Sequence, residues 1–209
     1  MEGDLPTDNV RPAAPAPTRG RPPSLQTERA ILDATMGLLA ERNLSEISLE
    51  DIAARGRVSK ASIYRRWPSK GTLAFDAFMA QFLVLQPEPD TGRLDDDLRA
   101  ALRNWVLAVD GTVTGRTLKG LIAEVQRDPD LADAWRDRFV GPVRARHMIM
   151  AERAIARGEL SAGADTELLL DLLYGPAYHR LVQGHLRLDD AFIAGVVGAI
   201  AAAVKAGAI

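Results

Sequence analysis

The side chains best suited to chemistry in this chain fall in one short segment, residues 52–70. It carries Arg55, Arg57, Lys60, Arg65, Arg66 and Lys70 without a single acid, interleaved with the hydroxyls of Ser59, Ser62 and Tyr64. Cations and hydroxyl donors at this density suit a polyanion, because phosphate oxygens accept hydrogen bonds and favour positive charge. The bulk charge hides this, being −2 over 209 residues. The distribution reveals it: residues 1–70 hold 11 Lys/Arg against 9 Asp/Glu, and the remainder hold 15 against 19. Charge alone leaves a plain solvated helix face as an alternative, so the elements that position these residues must decide.

Two short capped helices would hold them. Ser48 precedes Leu49-Glu50-Asp51, a helix N-cap followed by acids that favour the positive end of the helix dipole. After Gly56-Arg57-Val58 a second cap, Ser59, opens Lys60-Ala61-Ser62-Ile63-Tyr64-Arg65-Arg66-Trp67, which Pro68 stops. Ile47, Ile52, Ala53, Val58 and Ile63 then face inward. Lys60, Ala61, Ser62, Tyr64 and Arg65 face out, in the arrangement of a helix-turn-helix. Such a helix fits a major groove about 12 Å wide. Small Ala61 permits close approach, Ser62 and Tyr64 offer hydroxyls, and Lys60 and Arg65 reach base edges or phosphates. Ser48 and Ser69 cap helix N-termini whose free N–H groups favour phosphate, and Lys70 adds a charge there. Trp67 lies opposite the polar face and is expected in the core. Arg66 is open between phosphate and solvent.

The rest of the chain reads as all-α. Residues 1–24 form a Pro-rich basic arm without helical period. Its Arg19-Gly20-Arg21-Pro22 string is narrow and extended; Arg19 and Arg21 suit an A·T-rich minor groove, with an ordinary tail as the alternative. A first helix fits Leu25 to Arg42, with Asn43 closing it in the left-handed conformation. Ser69 starts a fourth helix, and residues 86–92 are a loop by composition. Further helices fit Leu94–Asp110, Thr114–Arg127, Pro129–Arg157 with a bend at Gly141-Pro142, Thr166–Gln183 with Pro176 inside, and Asp190–Lys205. The boundaries expected are 25–85 for a DNA-binding domain and 86–209 for a C-terminal domain.

Several classes are disfavoured. With no cysteine, disulfides, thiolate metal sites and a cysteine nucleophile are excluded. His147, His179 and His185 lack metal-ligand spacing, and no HExxH, Gly-rich phosphate loop or G-x-S-x-G occurs, so neither an enzyme nor a cofactor or metal is expected. No apolar run reaches the roughly 18 residues that span a bilayer, and Met1–Asn9 lacks a basic signal region. A cytoplasmic protein without membrane contact is expected.

The last two helices read as a dimer interface. Gly195, Ala199 and Ala203 would let helices approach closely, and Phe192, Val196 and Ile200 supply apolar area. Leu169 and Leu173 belong to a partner helix that is apolar nearly all round. A four-helix bundle across a two-fold axis covers both, with an internal core as the alternative.

The run Ile47-Ser-Leu-Glu-Asp-Ile-Ala-Ala-Arg, followed by Val58-Ser-Lys-Ala-Ser-Ile-Tyr-Arg-Arg-Trp-Pro-Ser-Lys70, resembles the DNA-binding domain of the TetR family over residues 25–85. The resemblance implies nine or ten helices: a three-helix helix-turn-helix domain joined to a helical ligand-binding and dimerisation domain. It also implies a homodimer on a palindromic operator of double-stranded DNA, with half-sites about 34–36 Å apart. By it, Ser48 and Lys70 correspond to phosphate contacts, and Lys60, Ala61, Ser62, Tyr64 and Arg65 to the contacts of the reading helix. The family often has glycine where this chain has Arg57. Either Arg57 adopts the left-handed conformation, at about 1–2 kcal/mol, or Gly56 takes the strained turn. In both cases Arg57 brings a cation near DNA. The family implies a small-molecule effector in a cavity of the later helices, for which Phe78, Phe82, Leu102, Trp105, Ile122, Trp135, Phe139, Met148, Tyr174, Tyr178 and His179 are the candidates. A repressor released by that effector is the implied function. The rivals are a helix-turn-helix protein that senses nothing and a small helical carrier or enzyme.

Overall fold

The computed structural model describes residues 25–82 and 87–209, and every regular element among them is helical. Arg19, Arg21 and the 85/86 domain boundary lie outside the described residues.

The head is built from three helices. Helix α1 (Leu25–Glu41) buries Ile31, Ala34, Leu38 and Leu39, and its buried Thr35 hydroxyl donates to the Ile31 carbonyl at 2.8 Å. Asn43 does not close α1 in a left-handed conformation. It is extended (φ −74°, ψ 159°) and starts a 3₁₀ turn, Leu44–Glu46, with its N–H donating to the Glu46 carboxylate at 2.7 Å. The side chain three residues on satisfies the backbone better than a strained asparagine would. Helix α2 (Leu49–Gly56) starts at Ser48, and the turn after it is made by Arg57, not Gly56. Arg57 sits at φ 51° and ψ 43°, the one non-glycine residue with positive φ among the described residues. Helix α3 (Lys60–Tyr64) is a single capped turn and a half, and α4 (Lys70–Phe82) leaves the head for the body.

The body consists of α5 (Leu94–Val109), α6 (Val113–Val125), α7 (Pro129–Trp135), α8 (Gly141–Ala156), α9 (Thr166–Gln183) and α10 (Asp190–Lys205). The bend expected at Gly141-Pro142 takes the form of a π-helical stretch, Arg136–Val140, that carries α7 into α8. A proline cannot donate the usual bond, and a wider turn absorbs the loss. Asp128, Asp165 and Asp189 cap α7, α9 and α10, each accepting from the backbone three residues on.

One continuous apolar core runs from Ile31 and Leu44 in the head to Ile200 in the last helix. Helix α6 is the hinge of this continuity, packing on α1 and α4 as well as on α5. Its Gly120 faces Leu44 so closely that a β-carbon would lie 3.1 Å from the leucine Cβ. Arg116 of α6 donates to the Ala40 carbonyl at the end of α1 at 2.9 Å. The head is therefore seated on the body by packing and not merely tethered to it.

Candidate nucleic-acid interface and cavity

Local caps start both short helices of the head. The Ser48 hydroxyl accepts from the Asp51 N–H at 3.1 Å and donates to Asp51 Oδ2 at 2.9 Å, while the Ser48 N–H donates to the same oxygen at 2.9 Å. These bonds from Ser48 hold the Asp51 carboxyl below its usual range. Ser59 accepts from the Ser62 N–H at 3.2 Å, and the two hydroxyls meet at 2.9 Å.

On that frame the exposed side of α3 presents Lys60, Ala61, Tyr64 and Arg65, with Ser62 half-buried and Ile63 fully inside. Tyr64 leaves 55% of its surface in solvent, far more than a packing aromatic would. Arg57, in its left-handed turn, is also exposed. Trp67 is buried, and its indole N–H donates to Asp76 Oδ2 at 2.8 Å. Arg66 lies 3.6 Å from Glu28.

Two of the expected contacts already have partners. The Lys60 ammonium donates to Glu50 Oε1 at 2.8 Å, and this bond pulls the Glu50 carboxyl down and lifts the Lys60 ammonium. Lys70 donates to the carbonyls of Leu44 and Ile47 at 2.7 and 2.9 Å, which leaves one of its three N–H groups. Neither contact was legible in the sequence, because caps and apolar periods fix each helix alone and not how side chains of different elements meet.

The second feature is a cavity of about 440 Å³ between the body helices. Phe82, Trp105, Ile122, Trp135, Phe139, Tyr174, Tyr178 and His179 line it. Phe78, Leu102 and Met148 do not. Phe78 is buried behind Phe82, its ring 4.9 Å away, Leu102 is in the solid core, and Met148 packs at the edge of the core outside the cavity. Helical spacing alone does not separate a cavity wall from the layer behind it. Val140, Val143, Arg144, Val182 and Gln183 complete the lining, and sequence reading missed them. The π-helical stretch had concealed the phase of the first three.

Two further polar links surround the cavity. The His147 Nδ1–H donates to the Val143 carbonyl at 2.8 Å, and Nε2 lies 2.8 Å from the Tyr174 hydroxyl, from which the neutral imidazole accepts. Burial pushes the His147 imidazole below its ordinary value. Unfolding returns it to water, where it binds a proton more readily, so the unfolded chain gains protons as pH falls below about 6.5. Thermal stability is expected to drop between about pH 7.5 and pH 5.5, and His147→Gln to lose less over that interval, as read by scanning calorimetry. An equal loss in both proteins would refute this assignment. The other link is Asp76 of α4, which accepts from Arg138 of the π-helical stretch at 2.7 Å through Oδ1 and from Trp67 through Oδ2. One carboxylate thereby joins the stretch that carries the cavity residue Phe139 to the turn after α3.

The expected dimer residues divide. Leu169 and Leu173 are fully buried inside the protomer and are not available to a partner. The neighbours Leu168 and Leu172 face out, at 40% and 38% exposure, because the core of this chain claims the other side of α9. Phe192, Gly195, Val196, Ala199, Ile200 and Ala203 line a shallow groove between α9 and α10, with Phe192 and Ile200 buried beneath it. His179 and His185 meet edge to face at 4.9 Å, yet the described residues contain no cluster able to hold a metal ion. No described helix is long and apolar enough to cross a membrane.

Comparison with known proteins agrees with this geometry. Residues 31–77 match the model described as bacterial regulatory proteins, tetR family, and residues 88–200 match the tetracyclin repressor-like C-terminal domain. The HTH-type transcriptional regulator YdeS of Bacillus subtilis is 35% identical over 182 residues, covering 86% of this chain and 90% of its own. The DNA-binding transcriptional repressor TetR of Mycobacteroides abscessus is 33% identical, covering 80% of this chain and 88% of its own. Among solved structures, the TetR family transcription regulator SCO0332 superposes with a TM-score of 0.73 at 33% identity, over 86% of this chain and 98% of that one.

Proposed function

Because the chain belongs to the TetR family and is a transcriptional regulator with a DNA-binding head, we propose that it acts in the cytoplasm as a homodimeric repressor released by a small molecule. The observation that carries the DNA reading is the outward face of α3, where Lys60, Tyr64 and Arg65 surround the small Ala61. In a symmetric dimer two such faces enter successive major grooves of a palindromic operator, about 34–36 Å apart. The exposed leucines of α9 and the small-residue groove beside α10 support a two-fold interface made of these helices.

The cavity supports an effector site. Phe82 brings α4 to its wall, and the Arg138–Asp76–Trp67 chain runs from the stretch that carries Phe139 to the turn after α3. A ligand that spreads the wall would tilt α4 and change the separation of the two reading helices. It must favour the released form by about 1–3 kcal/mol or more to act.

Selection of bound duplexes from a random pool tests the DNA reading and should return a two-fold symmetric site. Arg65→Ala is expected to weaken binding about 10-fold or more and to flatten the salt dependence by about one unit per protomer. Asymmetric or sequence-independent recovery would defeat the proposal.

A further inference from the structure

The chain holds 11 aromatic residues, 3 Trp, 3 Tyr and 5 Phe. Six of them, Phe82, Trp105, Trp135, Phe139, Tyr174 and Tyr178, line the one cavity described above. Phe75 and Phe78 stand directly behind, in ring contact with Trp135. A wall of this kind favours flat π-systems, whose edges and faces match those of the rings, over saturated chains of equal area.

The polar groups narrow the choice further. Among the described residues no carboxylate lines the cavity, so a cation finds ring faces but no counter-charge. Among the described residues Arg144 is the one charged lining residue whose sign suits an anion, but its guanidinium is occupied by Glu167 and by Asp171, the latter at 2.7 Å. An anion would have to displace two carboxylates. The Tyr174 hydroxyl is spent on His147. Tyr178 differs. Its ring lies 5.0 Å from that of Trp105, and among the described residues no acceptor takes its hydroxyl hydrogen. Burial raises this phenol to about 12, so the proton stays on at physiological pH and remains available to donate.

We infer that the cavity takes an uncharged, flat, polycyclic aromatic molecule bearing a carbonyl or equivalent acceptor, which lies among the six rings and accepts a hydrogen bond from the Tyr178 hydroxyl. This rests on the same cavity being the effector site, and the test separates the two.

A matched pair of probes isolates the acceptor: 9-fluorenone, and fluorene, which has the same ring frame without the carbonyl. Binding is read as quenching of tryptophan emission, since Trp105 and Trp135 are in the wall. Decanoate serves as the aliphatic anion and ethidium as the aromatic cation. The expected result is saturable binding of 9-fluorenone at least tenfold tighter than fluorene. Tyr178→Phe should abolish that difference and leave fluorene unchanged. Equal affinity of the pair in the unmodified protein, or tighter binding of decanoate or ethidium than of 9-fluorenone, would overturn the inference, as would no binding by any probe. DNA affinity is measured alongside. Binding of 9-fluorenone that leaves DNA affinity unaltered supports the ligand class and defeats the effector reading instead.

Discussion

Glutamate in place of Ala61 is expected to weaken operator binding more than 100-fold while leaving the protein folded. Ala61 lies exposed on α3, between Lys60 and the Tyr64–Arg65 pair. A longer side chain holds the helix away from the groove, and its carboxylate faces phosphates instead of solvent. In the proposed homodimer the magnitude follows from symmetry. A loss of about 1.4 kcal/mol at each reading helix is tenfold, and two helices make it about hundredfold. Each mismatched base contact alone is worth about 1–3 kcal/mol, so the requirement is modest. An exposed substitution of this kind changes stability by about 0.5 kcal/mol or less. The midpoint of thermal unfolding should therefore stay within about 2 °C. Gel-shift titration with calorimetry measures both. Unchanged DNA affinity would remove α3 from the interface.

The second large effect concerns Gly115, in the first turn of α6. Here α6 follows α5 through a tight turn, and a β-carbon on residue 115 would fall 1.8 Å from the Val109 carbonyl oxygen. That atom belongs to the backbone and cannot rotate aside. Gly115→Ala must displace either the end of α5 or the start of α6, and α6 carries the head. Overpacking costs about 1–3 kcal/mol even where side chains can yield, so about 3 kcal/mol or more is expected here. For a chain of this size that lowers the thermal midpoint by about 6–12 °C. The control is Gly163→Ala, where the nearest atom to the new carbon is the Ser161 hydroxyl at 4.0 Å. Equal midpoints for the two variants would show that the turn is more pliant than its geometry implies.

What the sequence made legible was mostly local. The caps at Ser48 and Ser59 and the apolar period of α5 depend on neighbours within a turn or two, and each appears in the fold at its expected place, whereas α3 ends at Tyr64, three residues before the Trp67 that Pro68 was expected to make its last. The outward set on α3 followed from the same arithmetic. Leu169 and Leu173 show where that arithmetic fails. Helix α9 is apolar on several sides, and periodicity cannot say which side meets the protomer's own core and which meets solvent. The cavity failed in the same way at Leu102, which has the right period and the wrong depth. Contacts such as Lys70 to Leu44 and Ile47, or Arg138 to Asp76, join residues 23 to 62 positions apart and had no signature along the chain.

The Lys60–Glu50 contact gives the head a built-in competitor. Before any duplex arrives, the lysine already holds an oxygen anion supplied by its own fold. A phosphate must outcompete that carboxylate, so a random stretch of DNA gains less from this lysine than a bare ammonium would offer. Only a site that also engages Tyr64 and Arg65 recovers the difference. In the proposed DNA complex this acid suppresses idle adhesion along the genome without touching DNA itself. In this view neutralising Glu50 would make the protein stickier and less discriminating.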